Sequence, residues 1–102
     1  MYLIEILLPR MDNVGQSFPN EAFDLVREEL ASRFGGVTAF LRSPAAGLWQ
    51  DDSGTLCQDE IVIFEVMAET LDRNWWNNYR SKLEESFRQK EIIIRSTAFE
   101  RL

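Results

Sequence analysis

The segment that decides the fold reads Ile-Val-Ile-Phe-Glu-Val-Met-Ala over residues 61–68. Its β-branched and aromatic residues predict a strand, which we extend from Glu60 to Glu69. Side chains along a strand point alternately to the two faces of a sheet. One set holds Val62, Phe64, Val66 and Ala68, whereas the other contains Glu65. Because burying an unpaired carboxylate is costly, the set without Glu65 is expected to face the helices.

Five further elements surround this strand. They are predicted, in chain order, as a strand over 2–8, a helix from Pro19 to Phe34, a strand over 37–42, a helix with Trp76, Tyr79, Leu83 and Phe87 on its apolar face, and a final strand over 91–97. Gly35-Gly36 is a typical left-handed end for the first of these helices. Thr70 or Asp72 is expected to cap the second.

The order strand, helix, strand, strand, helix, strand predicts an α+β fold of the ferredoxin-like type. Its four-stranded antiparallel sheet has the spatial order fourth, first, third, second (4-1-3-2), and both helices cover one face. The length of 102 residues predicts a single domain, 1–102.

Composition removes several functional classes. The chain has 17 acidic and 11 basic residues, a net charge of −6, which argues against nucleic acid or an anionic membrane as partner. It has no histidine and one cysteine, which excludes zinc fingers, Cys/His nucleophile pairs and Ser-His-Asp triads. We therefore predict no metal site and no cofactor. The first nine residues carry no basic residue and are interrupted by Glu5, so no signal peptide is predicted and a cytoplasmic location is expected.

The second face of the predicted sheet is strongly apolar. Alternation places on it Leu3, Leu7, Phe40, Ile61, Ile63, Met67 and Ile93, together with the charged residues Glu5, Glu65, Arg42 and Arg95. An apolar patch of this extent is unusual on a monomer. A second copy packed face to face would cover it, so a homodimer with an isologous interface is predicted.

Both the predicted architecture and several short motifs of the sequence resemble those of known protein families. The order of elements and the apolar second face resemble the dimeric α+β barrel superfamily. More narrowly, Phe34-Gly35-Gly36-Val37-Thr38-Ala39, Ala46-Gly47-Leu48-Trp49 and Trp75-Trp76 resemble a family of small, uncharacterised bacterial proteins. The resemblance implies a fold rather than a reaction, since one fold hosts many functions. Barrel enzymes often place a histidine in the cavity, and this chain has none to offer.

Glu5 and Glu65 form the candidate site. They lie at the centres of neighbouring strands, and two close carboxylates in apolar surroundings raise one of their pKa values. Arg95 and Arg42, on the outer strands, are expected to pair with them. One hypothesis is a ligand site for a small polar molecule, with Glu65 (as general base) and Arg42 as candidate catalytic residues. The other is an ion-pair network that fixes the register of a dimer interface.

The stretch from Pro44 to Asp59 is long for a connection between paired strands. Asp51-Asp52-Ser53-Gly54 is a hairpin-turn sequence, so we predict a hairpin arm that reaches over the sheet or the partner. Trp49 near its base is a ligand-binding candidate as a lid over a cavity, or else a dimer anchor.

Three functions remain open at this point. The first is a homodimer that binds a small molecule or a protein partner through the second sheet face. The second is a cofactor-independent barrel-type enzyme, monooxygenase-like or isomerase-like, that acts on a small organic substrate. The third is an interaction module whose open face meets a different protein.

Overall fold

Six elements follow one another in the computed structural model, which describes residues 1–50 and 56–102 and the side chains of 1–39 and 60–102. They are β1 (Tyr2–Pro9), α1 (Asn20–Phe34), β2 (Thr38–Gln50), β3 (Leu56–Ala68), α2 (Arg73–Ser86) and β4 (Ile93–Ala98). The sheet has the order β2-β3-β1-β4, and every neighbouring pair is antiparallel. The predicted ferredoxin-like α+β fold and its strand order are confirmed.

The core lies between the sheet and the two helices. On the two central strands, the predicted alternation of buried and outward-facing side chains is confirmed. The apolar faces predicted for the two helices are buried as well. The buried residues are Ile4, Ile6 and Leu8 of β1, Val62, Phe64 and Val66 of β3, Phe23, Val26 and Leu30 of α1, Trp76, Tyr79 and Leu83 of α2, and Phe18, Phe87 and Ile92 of the connections. The odd-numbered residues of β1 and, from Ile61 to Met67, those of β3 therefore point to the opposite face.

The helix ends follow from local chemistry. Gly35 adopts φ 79° and its N–H donates to the Ala31 carbonyl at 2.8 Å, which confirms the predicted end of α1. Asp72, not Thr70, caps α2, because its Oδ1 accepts from the Trp75 N–H at 3.1 Å. α1 begins at Asn20, one residue later than predicted, because Pro19 is extended with ψ 151°. No helix in the described ranges is long and apolar enough to cross a membrane.

The second strand is longer than predicted. We expected it to end at Arg42, but β2 continues to Gln50 and pairs with β3 as far as Leu56. The pairing shifts register between Phe40 and Ala45, around Pro44, which has no N–H to donate to a ladder. The predicted hairpin arm is present as paired backbone, while its turn at Asp51-Asp52-Ser53-Gly54 lies outside the described residues.

Candidate functional site

The face of the sheet away from the helices, the open face, is organised in three parallel rows. The antiparallel register sets Leu7 opposite Ile63 and Ile93 in one row, and Leu3 opposite Met67 and Thr97 in another. Met67 and Ile93 are 52% and 53% exposed. Both outer rows are therefore largely apolar and reach solvent.

The middle row, the charged row, crosses all four strands. Its members, in order, are Arg95 of β4, Glu5 of β1, Glu65 of β3 and Thr38 of β2. Glu5 accepts from Arg95 Nε at 3.0 Å, and its second oxygen lies 3.5 Å from Arg95 Nη2. The Glu5 side chain is 18% exposed and that of Arg95 is 55% exposed. The carboxylate of the pair is therefore largely buried, while the guanidinium reaches solvent.

Glu65 differs from Glu5 in its neighbours. Partial burial raises the pKa of Glu65 above its ordinary value of 4.5, and the charge of Glu5 and a side-chain hydrogen bond to Glu5 raise it further. These effects favour the protonated form of Glu65 more than in an isolated glutamate. The row thus contains an ion pair beside a carboxyl whose pKa is raised.

This arrangement can perform two kinds of chemistry. A protonated Glu65 can donate a hydrogen bond to a ligand acceptor, and Glu5 and Arg95 offer an acceptor and a donor within the same row. A carboxyl whose pKa is shifted toward neutrality can also take up or release a proton during a reaction. Among the residues that the structure describes, no three His, Cys, Asp or Glu side chains are grouped to hold a metal ion.

The structure brings together three of the five candidate residues, Glu5, Glu65 and Arg95. Arg42 falls within the register shift of β2, and Trp49 pairs with Cys57 in the arm beyond it. The side chains of Arg42 and Trp49 lie outside the described part, so their roles stay predictions. Thr38 was not singled out from the sequence, and the signal that places it in the row is its position directly opposite Glu65.

A second unusual polar group lies on the other side of the sheet. Tyr79 of α2 is 5% exposed, and within the described structure its buried hydroxyl has no hydrogen-bond partner. Burial raises the pKa of Tyr79, and the charge of Glu29 raises it further. The hydroxyl is held in its neutral form among the core side chains, away from the charged row.

Fold and site together define a small α+β domain of the ferredoxin-like type, whose open sheet face carries a row of paired carboxyls. Solved structures with this fold include a phage SAM lyase in complex with S-methyl-5'-thioadenosine, with a TM-score of 0.62 and 16% identity over 94% of this chain and 79% of that chain. The apo state of a phage SAM lyase gives a TM-score of 0.60 and 14% identity over 94% and 78%. At such identities the likeness shows the fold alone. No protein-family model matches the sequence, and no curated protein matches it.

Proposed function

We propose that this protein is a cytoplasmic homodimer that binds a small polar molecule between its two open sheet faces, in contact with Glu65. The observation that carries the proposal is the charged row, in which Glu65, a carboxyl with a raised pKa, lies beside Glu5 and between two apolar rows. Groups of this kind concentrate at functional sites more than elsewhere.

The distribution of apolar surface supports self-association. Both helices pack on one face, so within the described side chains Leu3, Leu7 and Ile63 on the other face are only partly buried. Met67 and Ile93 stand more than half exposed in the same surface. A second copy would remove these rows from water and leave the two charged rows facing a shared space, as the resemblance to dimeric α+β barrels also implies.

Oligomeric state is tested first, by light scattering on a sizing column over a wide concentration range. We expect a dimer of about 24 kDa, twice the 11.9 kDa of the chain. Met67→Lys should shift it toward monomer, because it places a charge in the apolar contact. Leu25→Lys is the matched control: Leu25 is 54% exposed but lies on α1, so this variant should remain dimeric. A wild-type monomer would contradict the dimer and favour the interaction module.

Ligand binding is tested on the confirmed dimer with a thermal-shift screen of small polar molecules, followed by calorimetry of each hit. Glu65→Gln keeps the shape of the side chain but removes the titrating group. We expect an unchanged dimer with affinity reduced about tenfold or more, the scale of a lost charge-assisted hydrogen bond. If Glu65→Gln binds every hit as tightly as the wild type, the charged row is an ion-pair network of the interface and not a site.

A cofactor-independent enzyme is the second candidate, and the raised pKa of Glu65 favours it specifically. A carboxyl whose pKa is raised by a neighbouring carboxylate is suited to general acid or base catalysis on a small organic substrate. Enzymes named SAM lyase share the fold. Incubation of the protein with SAM, followed by mass spectrometry, tests one substrate directly. Loss of SAM with the wild type but not with Glu65→Gln would support catalysis. No loss with either protein would rule out SAM as a substrate.

A further inference from the structure

A cleft of about 170 Å³ opens between α2 and the edge strand β4, on the helix side of the sheet. Arg73, Asn77 and Arg80 of α2 form one wall, and they recur at spacings of four and three residues, which places them on one side of the helix. Ser96 of β4 forms part of the opposite wall. Trp76 and Ile94 supply an apolar floor. The cleft therefore combines a polar rim with an apolar base.

The rim is positive although the protein is negative. The chain carries a net charge of −6, yet within the described structure no carboxylate lines this cleft. Arg80 is only loosely paired, because Glu84 Oε2 lies 4.0 Å from its Nε and also accepts from the Ile92 N–H at 3.0 Å. Guanidinium groups on the rim of an apolar floor attract an anion that has an apolar body.

We propose that this cleft binds a small aromatic or aliphatic anion, with its carboxylate or phosphate between Arg73 and Arg80 and its apolar body on Trp76 and Ile94. The volume agrees with such a ligand, since an apolar cavity of about 150 Å³ holds one benzene molecule. Asn77 and Ser96 supply further hydrogen-bonding groups for the anion. The cleft opens on the helix side of the sheet, and Arg95, whose side chain pairs with Glu5 in the charged row, also lines its edge.

Heteronuclear NMR titration of the assigned full-length protein tests the proposal, with benzoate and phenyl phosphate as probes. We expect saturable shifts of the Trp76 indole N–H and of the Asn77 and Ser96 amides. Benzamide, which has the shape of benzoate without its charge, should bind at least about tenfold more weakly, because it forms no charge-assisted hydrogen bonds. Inorganic phosphate should also bind more weakly than phenyl phosphate, since it makes no use of the apolar floor.

Two variants of the cleft, Arg80→Gln and Arg73→Gln, should each weaken benzoate binding by about tenfold. The matched control is Arg27→Gln, which removes an exposed arginine of α1 that pairs with Asp24 and should leave the affinity unchanged. All three positions are exposed, so the variants are expected to fold, and their amide spectra check this directly.

The proposal is overturned if neither probe shifts Trp76 at millimolar concentration, or if benzamide binds as tightly as benzoate. It is also overturned if Arg27→Gln weakens binding as much as the cleft variants. Equal affinity for inorganic phosphate and phenyl phosphate would overturn the apolar floor as part of the site. Should one cleft variant fail to fold, the other decides.

Discussion

Glu5 accepts its hydrogen bond from Arg95 at 3.0 Å on one side and lies directly opposite Glu65 on the other. One carboxylate is thereby stabilised by a cation, and the neighbouring carboxyl is pushed toward its protonated form. The relationship gives Glu65 a defined effect on stability that depends on pH.

Glu65→Gln should be more stable than the wild type at neutral pH. The pKa of Glu65 is higher in the folded than in the unfolded protein, so the folded state holds this proton more tightly. Glu65 therefore lowers the free energy of unfolding of the wild type as pH rises from about 4.5 through its folded pKa, and this contribution is absent from the variant. Urea unfolding across this range checks it, with Glu85→Gln as an exposed charge-loss control. A difference that stays flat with pH would contradict the raised pKa.

The Glu5–Arg95 pair should show measurable coupling. A double-mutant cycle of Glu5→Gln and Arg95→Gln is expected to give about 0.5–1 kcal/mol, the range for cross-strand and surface ion pairs. The exposed Arg27–Asp24 pair of α1 serves as the comparison and should give about 0.3–0.5 kcal/mol. Coupling for Glu5–Arg95 no larger than that of the α1 pair would show that partial burial of Glu5 adds nothing.

Phe64→Ala should cost about 3–5 kcal/mol of unfolding free energy, because Phe64 is fully buried between the sheet and the helices. Met67→Ala, on the same strand but the opposite face, should cost the monomer less than about 1 kcal/mol, measured at a protein concentration low enough to dissociate a dimer, since half of the side chain is in water in the single chain. Denaturant midpoints and slopes measure both. Similar losses for the two variants would contradict the assignment of the faces.

Asp72→Ala should destabilise the protein by about 1 kcal/mol, because α2 loses the side chain that accepts from the Trp75 N–H. Asp72→Asn keeps a capping oxygen and loses only the charge that faces Arg33 Nη2 at 3.5 Å. Its cost should stay below about 0.5 kcal/mol. Thermal and urea unfolding separate the two contributions, and equal losses would show that the ion pair, not the cap, is what matters.

Tyr79→Phe should stabilise the protein by about 1 kcal/mol. A buried hydroxyl without a partner carries a desolvation cost that the phenyl ring avoids, while the packing of the ring is preserved. Urea unfolding of the two proteins measures this difference. A loss of stability instead would mean that the hydroxyl is hydrogen-bonded in the folded protein.

Much of the fold was predictable because its signals are local. The alternation in residues 61–68 assigned the faces of β3, and Gly35 ended α1 through its left-handed backbone. The continuation of β2 past Pro44 was not predictable, because a register shift in a paired strand depends on its partner and not on its own sequence.

The candidate site was predictable only in part, for a similar reason. The predicted strand order made the strands of Glu5 and Glu65 neighbours. The register between them follows from which residues face the helices, and it places the two carboxyls opposite each other. The cleft beside β4 was missed, although Arg73, Asn77 and Arg80 share a helical spacing. Their charge and exposure are typical of a solvated helix face, and only the position of α2 over the sheet edge makes them one wall of a cleft.

The central place of β1 has a consequence for how the chain folds. β1 pairs with β3 and β4, and the pairing of Tyr2 with Ala98 closes a loop of nearly the whole chain. Non-local pairing of this kind slows folding, whereas a hairpin such as β2–β3 closes over a short loop. The β1–β4 pairing at the edge of the sheet is therefore expected to form last, and until β4 pairs, β1 keeps one unpaired edge. During synthesis that edge is exposed longest, and it is where chain misassociation would begin.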